Sequence, residues 1–157
     1  MGRKAGFEGR SLPGRRERTG MDDDLPAYRG GRLKVVVCDD NIDLADTQVM
    51  LLEGAGCTAQ ACYGGAEALQ RVESLRPDVL LLDIAMPGID GLEVCRTLRT
   101  SPKWNRLRII GQTGHGDREM LRRAAMSGFD RLLVKPVDYT ELLSVLEDVK
   151  REIRRVK

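Results

Sequence analysis

The chain contains very little histidine, and this shortage restricts its chemistry. His115 is the single histidine among 157 residues. A histidine-based metal centre needs several imidazoles, and a Ser-His-Asp triad would have to be built around this one residue. We therefore expect neither a histidine metal site nor a serine hydrolase. Two readings of His115 stay open, an exposed loop residue and a residue that borders a site at the preceding Thr113.

Long apolar runs are also missing, and the four cysteines lack metal-binding spacing. No run approaches the length of a membrane span, and the Arg-rich start lacks the apolar segment of a signal peptide. Cys38, Cys57, Cys62 and Cys95 fall in or beside apolar segments, where a free thiol packs like a small hydrophobic side chain. We expect a cytoplasmic protein with reduced core cysteines and no membrane partner.

Residues 33–157 show no excess of charge of either sign. The chain has 26 Lys and Arg and 24 Asp and Glu, of which residues 1–32 hold 8 and 5, so residues 33–157 hold 18 and 19. This near-neutral balance argues against a nucleic-acid partner for the folded part. Residues 1–32 are rich in Gly and Arg, contain two prolines and show no periodicity, which predicts a flexible N-terminal arm.

One apolar run stands out from the rest of the chain. Residues 79–82 read VLLL, end on Asp83 and are followed by a break at Pro87 and Gly88. Four apolar residues without alternation predict a strand that is covered on both faces, as in a parallel sheet. Ligands bind outside the carboxyl ends of such strands. Asp83 is therefore a candidate site residue.

Strands and helices alternate along residues 33–157. The predicted strands are 33–38, 58–63, 79–83, 107–112 and 131–134, and the predicted helices are 42–54, 66–76, 91–98, 117–127 and 138–156. Alternation of this kind predicts an α/β domain over 33–157, a flavodoxin-like doubly wound (βα)5 three-layer sandwich with parallel sheet order 2-1-3-4-5. The first helix is predicted from an apolar stripe with 3-4-3 spacing: Ile42, Ala45, Val49 and Leu52.

Every polar candidate follows or ends a predicted strand. Asp39 and Asp40 follow the first, Asp83 ends the third, Thr113 follows the fourth and Lys135 follows the fifth. In the predicted order these ends meet at one edge of the sheet. Clustered carboxylates need a compensating cation, and oxygen ligands suit Mg²⁺. The pattern predicts that Asp83 attacks a phosphoryl group to form an acyl phosphate, whose oxygens interact with Thr113 and Lys135.

At these residues the chain resembles the receiver domain of two-component response regulators, over about residues 33–149. The acid pair, the motif DIAMPGIDG at 83–91, Thr113 and the Lys135-Pro136 dipeptide occur in that family's order and spacing. The resemblance implies that Asp83 accepts a phosphoryl group from the phosphohistidine of a sensor histidine kinase or a histidine phosphotransfer protein. The phosphorylated surface would then act on an unknown downstream protein target.

The resemblance also implies a ligand set. Asp40, Asp83 and the backbone carbonyl of Ala85 would bind Mg²⁺ directly, and Asp39 would act through a water molecule. The Lys135-Pro136 bond would be cis. The chain departs from the family at Leu132, three residues before Lys135, where a switching Tyr or Phe is usual.

Two other functional classes fit the residues less well. An aspartyl-phosphate-forming phosphatase of the haloacid dehalogenase type needs a second Asp two residues after its nucleophile, and that position is Ala85. A flavodoxin-like nucleotide binder needs a phosphate-binding loop after the first strand, where Asp39 and Asp40 would repel phosphate. We expect a stand-alone switch that acts by protein contact, since the sequence ends after the fifth predicted helix.

Overall fold

A computed structural model describes residues 31–155 and contains one five-stranded sheet. The strands are β1 (Lys34–Cys38), β2 (Thr58–Cys62), β3 (Val79–Asp83), β4 (Arg108–Thr113) and β5 (Arg131–Val134). The helices are α1 (Ile42–Gly54), α2 (Gly65–Leu75), α3 (Gly91–Arg99), α4 (Arg118–Ser127) and α5 (Tyr139–Arg155). Residues 1–30 of the predicted arm lie outside the described residues, so the arm and its boundary stay predictions.

The sheet is parallel throughout, and its strand order is β2-β1-β3-β4-β5. The predicted order is confirmed, together with the doubly wound class. The strand register aligns Cys38 with Leu82 and Asp83 with Gln112. The strands therefore end at nearly the same level, which brings the residues after them to one edge.

Hydrophobic side chains fill both faces of the sheet. Leu80 and Leu82 point into a core shared with α2, α3 and α4, whereas Val79 and Leu81 point into a core shared with α1 and α5. All four are fully buried, and burying one such side chain stabilises the fold by roughly 1.5–3 kcal/mol. This two-sided burial explains why the sequence of β3 does not alternate between apolar and polar residues.

The helix predicted over 42–54 is confirmed, but its buried face differs from the apolar stripe at two positions. Ile42 is 54% exposed, because it occupies the first turn, directly after the N-cap Asn41, whose side chain accepts the Leu44 N–H at 3.1 Å. Gln48 is only 6% exposed and lies on the buried face with Ala45 and Leu52. The other element boundaries agree with the predictions to within one residue, although the predicted loop 99–106 contains a turn of 3₁₀ helix, Pro102–Trp104. Val156, at the predicted end of the last helix, lies outside the described residues.

Side-chain caps begin the three helices that follow β3, β4 and β5. Asp90 accepts the Glu93 N–H at 2.9 Å, Asp117 accepts the Met120 N–H at 2.8 Å, and Asp138 accepts two N–H groups at the start of α5. A cap of this type is worth about 1 kcal/mol. Each of the three aspartates therefore stabilises the start of the helix that it precedes.

The four cysteines are buried thiols that form no disulfide bond, as predicted. They pack as small apolar side chains, three of them in or beside strands β1 and β2 and one in α3. Among residues 31–155, no helix has both the length and the apolar character needed to cross a membrane.

Arg99 ties α3 to β4 and β5 at the end of the sheet opposite the acidic residues. Its guanidinium donates to three carbonyl oxygens, those of Gly128, Trp104 and Leu107, at 3.0, 2.7 and 2.9 Å, and to the Asp130 carboxylate at 3.0 Å. Burial lowers the pKa of Arg99 to about 10, which still leaves the group charged at neutral pH. The amino ends of β4 and β5 are thereby held together by charged hydrogen bonds.

Candidate functional site

Three carboxylates meet at the carboxyl edge of the sheet. Asp39 and Asp40 follow β1, and Asp83 ends β3; one oxygen atom from each lies within 4.8 Å of the others. Asp39 and Asp83 are buried, with 2% and 4% exposure, whereas Asp40 is exposed. The strand register explains why Asp39 and Asp83 lie close together, because Cys38 pairs with Leu82 and the next residue of each chain segment is an aspartate.

Lys135 brings a positive charge to the two buried acids. Its Nζ lies 2.8 Å from Asp39 Oδ2 and 3.1 Å from Asp83 Oδ1. Burial opposes the lysine charge, but hydrogen bonds and attraction to both carboxylates outweigh it and raise the pKa of Lys135 above its usual value. The Lys135-Pro136 bond is cis, as the resemblance implied. Lys135 also donates its backbone N–H to the Thr113 carbonyl at 2.7 Å.

The Asp83 carboxyl carries an unfavourable charge in this setting. Burial, followed by repulsion from Asp39, raises the pKa of Asp83 to about 6, although attraction to Lys135 works in the other direction. Three acids therefore face one lysine ammonium group, and a further cation would lower the energy of the ionised cluster. The available side-chain donors are all carboxylate oxygens, the type that Mg²⁺ takes in proteins. These residues fit a magnesium site.

The start of α3 packs closely against the backbone of Asp83 at the end of β3. A Cβ atom at Gly91 would overlap the Asp83 carbonyl oxygen and lie 2.7 Å from Cα of Ile84. Only glycine lets the start of α3 approach the strand end so closely. Ala85 lies in the loop between β3 and α3 and is exposed, so the loop that would supply its carbonyl lies at the surface.

Thr113 ends β4 next to this cluster and is 2% exposed. Its hydroxyl accepts the His115 N–H at 3.0 Å and lies 3.3 Å from the His115 carbonyl oxygen. The side chain of Thr113 is therefore engaged with the loop that follows its strand. His115 is exposed and makes this contact through its backbone, which fits a loop residue.

Leu132 fills the position where the resemblance implied an aromatic residue. It is 1% exposed, and a Cβ atom at Gly111 of β4 would lie 2.8 Å from its Cδ1 and 3.0 Å from the ring of Phe129. Leu132 and Phe129 thus occupy the space beside Gly111. In this structure the side chain of β5 at this position is part of the core.

One buried polar pair close to the site was not predicted from the sequence. Gln48 of α1 and Gln112 of β4 are 6% and 1% exposed, and their amides exchange two hydrogen bonds of 2.8 and 3.1 Å. The only sequence signal was helical spacing. Gln48 lies three residues after Ala45 and four before Leu52, which puts it on the same buried face of α1.

Comparison with known proteins is consistent with this geometry. The family model described as "Response regulator receiver domain" matches residues 35–147. The chain is 36% identical over 124 residues to the phosphate regulon transcriptional regulatory protein PhoB of Rhizobium meliloti, across 79% of this chain and 53% of that protein. It is 34% identical over 116 residues to an uncharacterized 14.6 kDa protein of Leptolyngbya boryana, across 74% of this chain and 88% of that protein.

Solved structures show the same fold. The chemotaxis protein CheY4 of Vibrio cholerae superposes with a TM-score of 0.72 at 28% identity, over 76% of this chain and 99% of that chain. A putative response regulator from Chloroflexus aurantiacus superposes with a TM-score of 0.71 at 30% identity, over 75% of this chain and 97% of that chain. The present chain spans about half the length of the PhoB protein, 53%, whereas it spans nearly all of these two solved chains.

Proposed function

This chain belongs to the response regulator receiver domain family, and on that premise we propose that it is a phosphoacceptor switch of a two-component or phosphorelay system. Asp83 takes a phosphoryl group from the phosphohistidine of a sensor histidine kinase or a histidine phosphotransfer protein in the cytoplasm. The observation that carries this proposal is the Asp83 carboxylate itself. It ends the central strand β3, lies 3.1 Å from Lys135 Nζ and has two further aspartates beside it.

The proposed transfer uses groups already at the edge of the sheet. A carboxylate oxygen of Asp83 attacks phosphorus, the bond between phosphorus and the imidazole nitrogen breaks, and that nitrogen keeps the electron pair. Lys135 offsets the charge on the phosphoryl oxygens. Asp40, Asp83 and the Ala85 carbonyl would hold Mg²⁺, with Asp39 acting through water, and the ion would supply the positive charge that this cluster lacks.

The proposed output follows from Thr113. A phosphoryl group on Asp83 brings a charge of roughly −1.5 to −2 and offers the Thr113 hydroxyl a stronger acceptor than the His115 backbone. The loop 114–116 and the start of α4 would then move, which changes the surface of α4 and α5. This surface carries Arg118 and Arg123, together with an Arg122–Glu119 pair at 2.7 Å. An acidic protein surface is a suitable downstream target.

Phosphoryl transfer to the purified protein tests this function. We expect acetyl phosphate with Mg²⁺ to add one phosphoryl group per chain, and a subset of sensor kinases from the same genome to do so faster. Intact-mass spectrometry measures the addition, and borohydride reduction of the acyl phosphate locates it. A folded protein that accepts no phosphoryl group from any of these donors would rule the proposal out.

Lys135→Ala should slow phosphorylation without removing the acceptor. The nucleophile remains, but the ammonium group that lies against Asp39 and Asp83 is lost. Loss of one preorganised stabilising group at a transition state lowers a rate by roughly 100- to 1,000-fold, and we expect the low end of that range because a bound cation shares the task. Stopped reactions with acetyl phosphate measure the rate.

Lys103→Ala is the matched control, since Lys103 lies at the 3₁₀ turn and pairs with Glu73. It should keep the rate of the parent. Equal rates for Lys135→Ala and the parent would show that Lys135 does not stabilise the transferring group.

A further inference from the structure

Gln48 and Gln112 connect two elements that are far apart in the sequence. Gln48 Nε2 donates to Gln112 Oε1 at 2.8 Å, and Gln112 Nε2 donates to Gln48 Oε1 at 3.1 Å. Both side chains are buried beside apolar neighbours of α1 and the sheet. A buried amide is unfavourable unless it is hydrogen-bonded, and the reciprocal pair gives each amide one donor and one acceptor partner.

Two apolar side chains could fill the same space, but they would restrain the position of α1 relative to β4 differently. Apolar contact is non-directional, so packed aliphatic groups tolerate small sliding movements. Two hydrogen bonds in a ring depend on both distance and angle. The amide pair therefore restrains the position of α1 relative to β4 more tightly than an apolar contact of equal size.

Both partners lie on elements that carry site residues. Gln112 is the register partner of Asp83, accepts the Ile84 N–H on its carbonyl at 3.0 Å and directly precedes Thr113. Gln48 belongs to α1, whose N-cap residue Asn41 follows the acid pair and donates its N–H to the Asp39 carboxylate at 2.9 Å. Strand β3, which ends on Asp83, lies between β1 and β4 in the sheet. The pair thus spans the strand of the phosphoacceptor.

We propose that Gln48 and Gln112 are positioning residues of the Asp83 site. Their amide pair fixes the separation between the acids that precede α1 and the Thr113 end of β4, on either side of Asp83. The effect on phosphorylation rests on the proposed function, whereas the effect on the geometry of the sheet edge does not. Neither glutamine touches the transferring group in this proposal.

Methionine substitutions separate the hydrogen bonds from the packing. Methionine has nearly the length of glutamine and no amide. Gln48→Met and Gln112→Met each leave one buried amide without its partner, and both should lower the melting temperature. The double variant Gln48→Met/Gln112→Met removes both amides, and it should recover most of that loss.

Hydrogen exchange of the unphosphorylated double variant tests the positioning directly. The Ile84 N–H bonds to the Gln112 carbonyl, and the Lys135 N–H bonds to the Thr113 carbonyl. Both should exchange roughly tenfold faster than in the parent, because the end of β4 is less restrained. The Asp130 N–H, which bonds to the Ile109 carbonyl nearer the other end of β4, should keep its rate. Unchanged exchange of Ile84 and Lys135 would overturn the proposal.

Phosphorylation kinetics give the second readout. The maximal rate with acetyl phosphate should fall roughly tenfold in the double variant, with unchanged half-saturation, since small displacements of reacting groups act on the chemical step. Val149→Ala, a buried change in α5, controls for destabilisation and should keep the parental rate. A double variant as fast as the parent would show that the glutamines only fill space. If the parent accepts no phosphoryl group, the proposed function fails, and hydrogen exchange alone decides the positioning.

Discussion

The Asp83→Asn variant is expected to take up no phosphoryl group from acetyl phosphate or from a phosphohistidine donor. The substitution keeps the size of the side chain and removes the carboxylate at the end of β3 that we propose as the nucleophile. Intact-mass spectrometry with Mg²⁺ present measures the loss, and Asp43→Asn, which changes an exposed acid of α1, is the control that keeps full labelling. A labelled Asp83→Asn variant would place the acceptor on another residue.

The same variant is expected to be more stable than the parent when no metal is bound. Burial and Asp39 raise the pKa of Asp83 to about 6, whereas an unfolded chain holds this group near its ordinary value of about 4. The folded state therefore disfavours the charged form. At 1.36 kcal/mol per pKa unit, neutral asparagine should add on the order of 1–3 kcal/mol at neutral pH, a net gain because the raised pKa already includes the attraction to Lys135.

The sign of the pH dependence follows from the same shift. A carboxyl group with a raised folded pKa adds most stability below its unfolded pKa, and this contribution is lost as the pH rises through about 6. The advantage of Asp83→Asn should therefore be absent near pH 4 and complete above about pH 6. Urea denaturation in EDTA across this range measures it, and a constant difference would contradict the electrostatic cause.

Removal of Mg²⁺ is expected to stop phosphorylation almost completely. Asp39, Asp40 and Asp83 place three carboxylates within 4.8 Å of one another, and Lys135 alone does not neutralise them. Excess EDTA should block labelling by acetyl phosphate, and added Mg²⁺ should restore it. EDTA that has first been saturated with Mg²⁺ is the control for the chelator itself. Undiminished labelling in excess EDTA would show that the acid cluster works without a metal ion.

Mg²⁺ binding can also be measured without phosphorylation, from the melting temperature. The proposed Mg²⁺ site exists only in the folded chain, so Mg²⁺ should raise the melting temperature of the parent in a concentration-dependent way. Asp40→Asn removes a proposed ligand without removing the acceptor, and it should need more Mg²⁺ for the same rise. An identical response in both proteins would remove Asp40 from the ligand set.

The edge of the sheet was predictable because strand ends are visible in the sequence. The apolar run before Asp83 and the β-branched run before Asp39 determined where each strand stops, and a parallel register then brought both acids together. The packing between elements was not predictable in this way. The 3-4-3 spacing located α1, but it could not show that Ile42 is exposed in the first turn or that Gln48 finds its partner 64 residues away.

Local hydrogen bonds at the site were also beyond prediction. The sequence indicated that Thr113 would end a strand, but the engagement of its hydroxyl with His115 depends on the path of the following loop. The contacts of Arg99 with four different groups likewise depend on how two loops meet, the one before β4 and the one before β5. Such contacts arise from tertiary geometry, which single-chain patterns do not encode.

The position of Trp104 has a practical consequence for optical measurements. Trp104 is the single tryptophan of the chain, is 6% exposed and packs in the core with α3, where its carbonyl is held by Arg99. It precedes β4, whereas Thr113 ends that strand, which puts roughly 20 Å of strand between them. Intrinsic fluorescence should therefore follow unfolding with little contribution from events at Asp83, so the chain contains an optical reporter of its folded state that is separate from its signalling state.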